Sequence, residues 1–173
     1  MSRFGFKAKQ MAMSAIFVAL MVILVYLSSF FPVMSLSIIA IAGVLSAIIV
    51  SEFGISAGAI AYVAASVLSF ILVPDKSNAV LFILLFGCYP IVKIAAERVK
   101  RIWFTWLIKL VVANVLFIVV CFLFKTFFFT IEDSVAGFLP IVCIVFNVVF
   151  VMYDVCLKKL VIFYKIRIAK WIQ

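Results

Sequence analysis

The stretch IVCIVFNVVFVM at residues 141–152 decides the fold class of this chain. Asn147 is its one polar residue, and the other side chains lack the alternation of apolar and polar positions that a membrane β-strand requires. The apolar segment around it covers residues 138–157, about the 20 residues that a helix needs to cross ~30 Å of hydrocarbon. The sequence therefore predicts an all-α membrane protein.

The composition of the whole chain supports this class. Its 173 residues are 70% apolar and 12% charged, whereas an average soluble domain is about 45–50% apolar and 25% charged. We expect one membrane domain over residues 1–173. The chain has no His, and its four Cys lack the CxxC spacing of zinc and redox sites. We therefore expect no enzyme activity, no metal and no cofactor.

Pro, Gly and polar residues divide the apolar sequence into segments of membrane-crossing length. The predicted architecture is a bundle of six transmembrane helices over residues 11–31, 36–50, 55–73, 79–96, 104–128 and 138–157. The second segment is short for a full crossing, which predicts little tilt or shelter from lipid.

The distribution of Lys and Arg predicts the orientation of this bundle. All but two of the 15 Lys and Arg residues fall on one side of the six predicted spans, and the exceptions are Lys76 and Lys125. The basic side of a membrane protein faces the cytoplasm. We therefore expect both termini to be cytoplasmic, in a multi-pass protein of the cell (cytoplasmic) membrane. The basic side would attract anionic lipids, so the net charge of +9 does not indicate nucleic-acid binding.

Two stripes of small residues, each with members three or four positions apart, lie on single helix faces. In lipid, small side chains let helix backbones approach closely, which is a main route to helix association. Both stripes are consistent with packing inside this bundle and with docking to a separate subunit. The first stripe is Ala8, Ala12, Ala15 and Ala19, and the second is Gly54, Gly58, Ala61 and Ala65.

Polar residues at membrane depth are candidate functional residues, because they are costly to bury in lipid. Counting along the helices places Asn114 and Asn147 at the same level, where they act either as helix glue or as ligand contacts. Nearer the inner face lie Lys93, Lys109 and Asp154, and we expect Asp154 to pair with Lys158 one turn later. Four polar residues in the outer half or midplane are the predicted ligand-binding residues: Asn78, Tyr89, Lys125 and Asn147.

The first predicted helix carries a family resemblance. Residues 9–32, KQMAMSAIFVALMVILVYLSSFFP, resemble the first helix of the substrate-binding components (S-components) of energy-coupling factor (ECF) transporters. The Ala-x-x-x-Ala signature of that helix is matched by Ala15 and Ala19 and extended by Ala8 and Ala12. The six spans, the chain length and the cytoplasmic termini are similar as well.

The resemblance implies a membrane receptor for a vitamin or another micronutrient. It implies a small-molecule ligand bound in the outer half of the bundle and an alanine face that docks to an integral membrane coupling subunit with associated ATPases. The chain itself has no GxxxxGK[ST] phosphate loop. Its three Trp residues, Trp103, Trp106 and Trp171, all lie towards the predicted inner face. The chain therefore lacks the Trp-rich outer pocket of the thiamine-binding members of that family, and the resemblance identifies no ligand.

Two other functional classes are also consistent with the sequence. A non-transporting scaffold protein of the cell envelope would use the alanine stripes to recruit another integral protein, and its outer half would be filled by side chains. A lipid-modifying enzyme would need acid/base or nucleophilic groups at one interface. Glu132 and Asp133 are adjacent in a predicted outer loop, but adjacency alone does not make an acid/base pair across a substrate.

Overall fold

The computed structural model describes residues 3–97, 102–127 and 139–167. All regular elements in these ranges are helices, which confirms an all-α membrane protein. Four helices in the described ranges are long and apolar enough to cross a membrane: Gln10–Ser28, Pro32–Leu72, Lys76–Ala96 and Trp103–Leu123. The count of six crossings and the side on which the termini lie stay predictions.

The chain forms two compact units. We call Met1–Ala95 unit 1 and Ala96–Gln173 unit 2. Unit 1 consists of α1 (Arg3–Ser28), a short 3-10 helix (Pro32–Met34), α2 (Ser35–Leu72), α3 (Lys76–Leu81), a π-helix (Phe82–Gly87) and α4 (Tyr89–Ala96). In unit 2 the described elements are α5 (Ile102–Phe127) and α6 (Leu139–Arg167). That both units form one membrane domain stays a prediction.

Gly54 divides α2 into two arms. The segment Pro32–Leu72 has 41 residues, which corresponds to about 62 Å of continuous helix, twice the ~30 Å of a hydrocarbon core. Gly54 interrupts it with φ 87° and ψ 173°, a backbone conformation that only glycine adopts readily. The bend is sharp, because a Cβ on Gly58 would lie 3.2 Å from Cα of Val50. In a straight helix these residues are about 12 Å apart along the axis.

The core of unit 1 lies between α1 and both arms of α2. One face of α1 is buried there, including Val18, Met21 and Val25. The arms of α2 contribute residues such as Ile49 and Ala65 to the same cluster. Because lipid offers no hydrophobic drive for this association, close packing of these side chains holds the unit together.

α6 continues beyond the predicted end of its span at residue 157. It extends to Arg167, and Leu157 and Tyr164, which are seven positions apart, are both buried. Residues spaced by seven share one helix face, so the basic segment after Lys158 keeps an apolar stripe while its lysines stay exposed.

Candidate functional site

The two small-residue stripes have different environments in the structure. Ala12, Ala15 and Ala19 are exposed along α1, on a face that the core of unit 1 does not use. The side chain of Ala8 lies outside the described residues. We call these exposed alanines the α1 alanine face.

The second stripe is packed inside unit 1. Gly58, Ala61 and Ala65 are all buried. A Cβ at Gly58 would overlap the side chain of Val50, so glycine allows the two arms of α2 to touch. Gly54 itself is exposed at the bend. Of the two stripes, the α1 alanine face is therefore the one that the packing of unit 1 leaves uncovered.

The π-helix ends at Gly87, three residues before Pro90. Proline lacks a backbone N–H and clashes with the carbonyl four residues earlier, which disturbs the preceding turn. Hydroxyl groups from α2 donate hydrogen bonds to two carbonyls of this turn: Tyr62 to Ile83 O at 2.8 Å, and Ser46 to Gly87 O at 3.4 Å. The π-helix is thus held against α2 by two polar contacts.

The predicted ligand residue Tyr89 follows this turn and is buried. The glycine before it has a packing role, because a Cβ at Gly87 would lie 2.9 Å from the ring of Tyr62. Asn78, the other predicted ligand residue of unit 1, is buried near the start of α3. The structure therefore places both side chains inside unit 1, about 16 Å apart along the helical segment that carries them.

Two serines with buried, unsatisfied hydroxyls lie near the ends of α1 and α2. Ser29 Oγ and Ser69 Oγ have no hydrogen-bond partner among the described residues. A buried hydroxyl without a partner costs about 1–3 kcal/mol. Both serines are next to connections predicted to face outward, and Asn78 lies at the far end of the connection that follows Ser69. We call Ser29, Ser69 and Asn78 the outer polar group. Spacing along the sequence did not single out the two serines.

The charges of the connection between α2 and α3 are used for capping. Asp75 accepts a hydrogen bond from Ser77 N at 3.0 Å and so caps α3. Lys76 Nζ donates to Phe70 O at 2.7 Å and to Val73 O at 3.0 Å, near the end of α2. Carbonyls at a helix C-terminus otherwise have no partner inside the helix. These two charged groups therefore stabilise helix ends.

In unit 2, α5 and α6 meet in an antiparallel register through Asn114 and Asn147. Asn114 Nδ2 donates to Asn147 Oδ1 at 2.9 Å, and Asn147 Nδ2 donates to Asn114 Oδ1 at 3.0 Å. Each amide also donates to a carbonyl one turn earlier in its own helix, Leu110 O and Cys143 O, at 2.8 Å. Both N–H groups of each amide are therefore used. As a ligand residue, Asn147 has only oxygen lone pairs to offer.

A buried ion cluster lies about 8 Å from this amide pair along α5. Lys109 Nζ is 2.9 Å from Glu97 Oε1 and 3.3 Å from Asp154 Oδ2. Lys109 and Asp154 are only 4% and 3% exposed. The prediction that Asp154 pairs with Lys158 is wrong. Asp154 is buried where α6 meets α5, so its cation comes from the neighbouring helix while Lys158 stays exposed.

The ion cluster forms one wall of a cavity of about 580 Å³. Its lining combines charged, polar and apolar side chains, all of unit 2: Glu97, Thr105, Trp106, Lys109, Asp154, Val155, Lys158, Lys159 and Ile162. Lys109 Nζ is also 5.5 Å from the centre of the Trp106 ring. Within the described ranges, no group of three or more His, Cys, Asp or Glu side chains is placed to hold a metal ion.

Some predicted residues fall outside this description. The side chain of Lys125, the fourth predicted ligand residue, lies outside the described residues, as do Glu132, Asp133 and Trp171.

Comparison with protein families, characterised proteins and solved structures finds no match to this chain.

Proposed function

We propose that this chain is the membrane-embedded substrate-binding subunit of a micronutrient uptake transporter. It captures a small molecule on the outer side of the membrane and docks to an integral membrane coupling subunit driven by ATPases. In this proposal six helices cross the membrane, with the arms of α2 as two separate crossings and both termini in the cytoplasm.

The observation that carries the proposal is the pair of unsatisfied hydroxyls in the outer polar group. Ser29 and Ser69 bury their Oγ atoms without a hydrogen-bond partner among the described residues. In lipid no bulk water is present to compensate such groups. A polar ligand that accepts or donates hydrogen bonds at these hydroxyls would recover the lost free energy. Asn78 adds a buried amide with donor and acceptor capacity to the same predicted outer end.

The α1 alanine face supports the docking part of the proposal. The core of unit 1 buries one face of α1 and leaves Ala12, Ala15 and Ala19 exposed. Small residues on an exposed transmembrane face allow the backbone of another helix to approach closely. The buried second stripe already meets the internal packing needs of α2, so unit 1 makes no use of the first stripe.

Ligand capture is tested by native mass spectrometry of the protein purified in mild detergent. We expect the wild type to retain a small molecule and Ser69→Ala to bind it about tenfold more weakly, measured as loss of the molecule on dilution, since one hydrogen bond to a buried group is worth about 1–3 kcal/mol. Ser28→Ala is the matched control, because Ser28 is also buried but already donates to Val25 O at 2.6 Å. A wild type without a small molecule, or equal loss on dilution in Ser69→Ala and the wild type, would overturn ligand capture.

Thermal unfolding of the same variants separates binding from folding. Removing an unsatisfied hydroxyl relieves a cost, so the ligand-free form of Ser69→Ala is expected to be at least as stable as the wild type. Loss of ligand from a variant that is not destabilised cannot be attributed to misfolding.

Docking is tested by the size of the complex extracted from native membranes. Ala15→Trp places an indole on the α1 alanine face and is expected to convert the complex with ATPase-containing subunits to the free chain. Leu20→Trp is the control, because Leu20 is exposed about 100° around the axis from that face. A complex that lacks ATPase subunits and retains no small molecule would favour the envelope scaffold instead.

A further inference from the structure

The cavity of unit 2 contains two lysines whose charges no described residue of unit 2 neutralises. Both carboxylates of the cavity, Glu97 and Asp154, form ion pairs with Lys109. The ammonium groups of Lys158 and Lys159 form no ion pair or hydrogen bond with any described residue. Both lysines line the cavity and are exposed, so they remain available to an anion.

The buried ion cluster pairs both acidic groups of the cavity with Lys109. Asp154 is 3% exposed and in contact with Lys109, so its charge is compensated within unit 2. Three lysines and two carboxylates line the cavity, which leaves a positive excess at Lys158 and Lys159. The lining therefore carries a net charge of +1, and an anion beside Lys158 and Lys159 contacts the two ammonium groups that form no ion pair with a described residue.

Apart from Thr105, the remaining wall of the cavity is apolar. Val155 and Ile162 lie on α6 on either side of the two lysines, and Trp106 faces them from α5. Trp103 and Phe163, on α5 and α6, are 89% and 57% exposed, as is expected of side chains that face lipid or its interface. A site with cations and apolar side chains together suits an amphiphile better than a free ion.

From this arrangement we propose that the cavity binds the phosphate headgroup of an anionic membrane lipid. The phosphodiester lies between Lys158 and Lys159, and the glycerol and upper acyl chains lie along Val155, Ile162 and the Trp106 ring. Basic pockets between transmembrane helices on the cytoplasmic side are a known mode of headgroup binding. The cavity lies at the end of unit 2 that the Lys and Arg distribution predicts to be cytoplasmic. This proposal does not depend on the transport function.

Binding is measured by native mass spectrometry of delipidated full-length protein in detergent, titrated with phosphatidylglycerol or phosphatidylcholine. We expect a single phosphatidylglycerol site that phosphatidylcholine does not fill at equal concentration. A basic residue near a membrane surface contributes about fivefold in affinity for an anionic lipid. The double variant Lys158→Ala with Lys159→Ala is therefore expected to bind phosphatidylglycerol about 30-fold more weakly.

The control removes the same charge elsewhere on α6. Lys165 and Arg167 are exposed and do not line the cavity, so Lys165→Ala with Arg167→Ala is expected to change the affinity less than about twofold. Ile162→Trp fills the cavity and keeps every charge, and it is expected to reduce binding as well. Replacing Lys158 and Lys159 by Arg keeps the charge and is expected to restore binding, which separates a charge effect from misfolding.

Three results would overturn the proposal. Equal binding of both lipids would show that the headgroup charge is not recognised. Equal losses in the double variant and in the control pair would show a general charge effect. Displacement of phosphatidylglycerol by an equal concentration of inorganic phosphate would assign the site to free phosphate and remove the lipid from it.

Discussion

Lys109 and Asp154 provide the sharpest test of the packing of unit 2. Their charges are 3.3 Å apart, and both residues are almost fully buried. Asp154→Ala removes one partner and leaves the ammonium group of Lys109 buried with Glu97, whose side chain is 41% exposed. Breaking a buried ion pair in this way costs about 3–5 kcal/mol. Because Glu97 still pairs with Lys109, we expect Asp154→Ala to lower the free energy of unfolding by about 3 kcal/mol, the lower end of this range.

The companion variants determine whether the cost comes from burial of the charge. Replacing Lys109 by Met and Asp154 by Leu together removes both charges, and apolar replacement of a buried pair is often neutral or stabilising. We expect this double variant to be within about 2 kcal/mol of the wild type. Glu97→Gln is expected to cost less than about 1 kcal/mol, because exposed ion pairs contribute little.

The assay is unfolding in mixed micelles by titration with a denaturing detergent, followed by circular dichroism. Each variant is compared at the same total detergent concentration, so differences in midpoint report differences in stability. A loss below about 1 kcal/mol for Asp154→Ala would refute the buried pair. A double variant as unstable as Asp154→Ala would refute the attribution to an uncompensated charge.

Three further predictions concern the helix contacts. Asn114→Ala and Asn147→Ala are each expected to lower the free energy of unfolding by about 0.6 kcal/mol and at most about 1.7 kcal/mol. A double-mutant cycle in the same unfolding assay should show coupling between the two substitutions, and additive losses would contradict the reciprocal hydrogen bonds. The antiparallel register places Cys121 and Cys143 within one turn of the same level. With the other cysteines replaced, a short thiol crosslinker should therefore join α5 to α6, detectable by peptide mapping, and the absence of the crosslink would argue against the register. Gly58→Ala inserts a methyl group between the arms of α2 and is expected to cost about 1–3 kcal/mol, whereas a neutral result would show that the arms do not touch.

The sequence predicted features that depend on position along a single helix. Counting residues from the membrane boundary placed Asn114 and Asn147 at one level, and the structure joins them by two hydrogen bonds. The predicted break at residues 51–54 coincides with the non-helical backbone of Gly54. Depth and chain breaks follow from helical rise and from backbone freedom, which are local properties.

Features that depend on which helix covers which face were not predicted. The two small-residue stripes have the same spacing, yet the stripe ending at Ala65 is buried and the one ending at Ala19 is exposed. Asp154 was assigned the cation on its own helix, because an i to i+4 spacing is visible in sequence and a contact with Lys109 is not. For Ser69, nothing in the sequence indicated a buried hydroxyl without a partner, since its neighbours are known only once the helices are packed.

The hydrogen-bonded amides of Asn114 and Asn147 restrict how α5 and α6 can slide against each other. Sliding α5 past α6 by one residue would turn one side chain by about 100° relative to the other, so the bonds between Asn114 and Asn147 would break together. No intermediate offset preserves half of them. The two bonds therefore bias α5 and α6 towards a single alignment, by about the 0.6–1.7 kcal/mol that such contacts contribute. A motion of the protein in the bilayer that keeps these bonds moves α5 and α6 together.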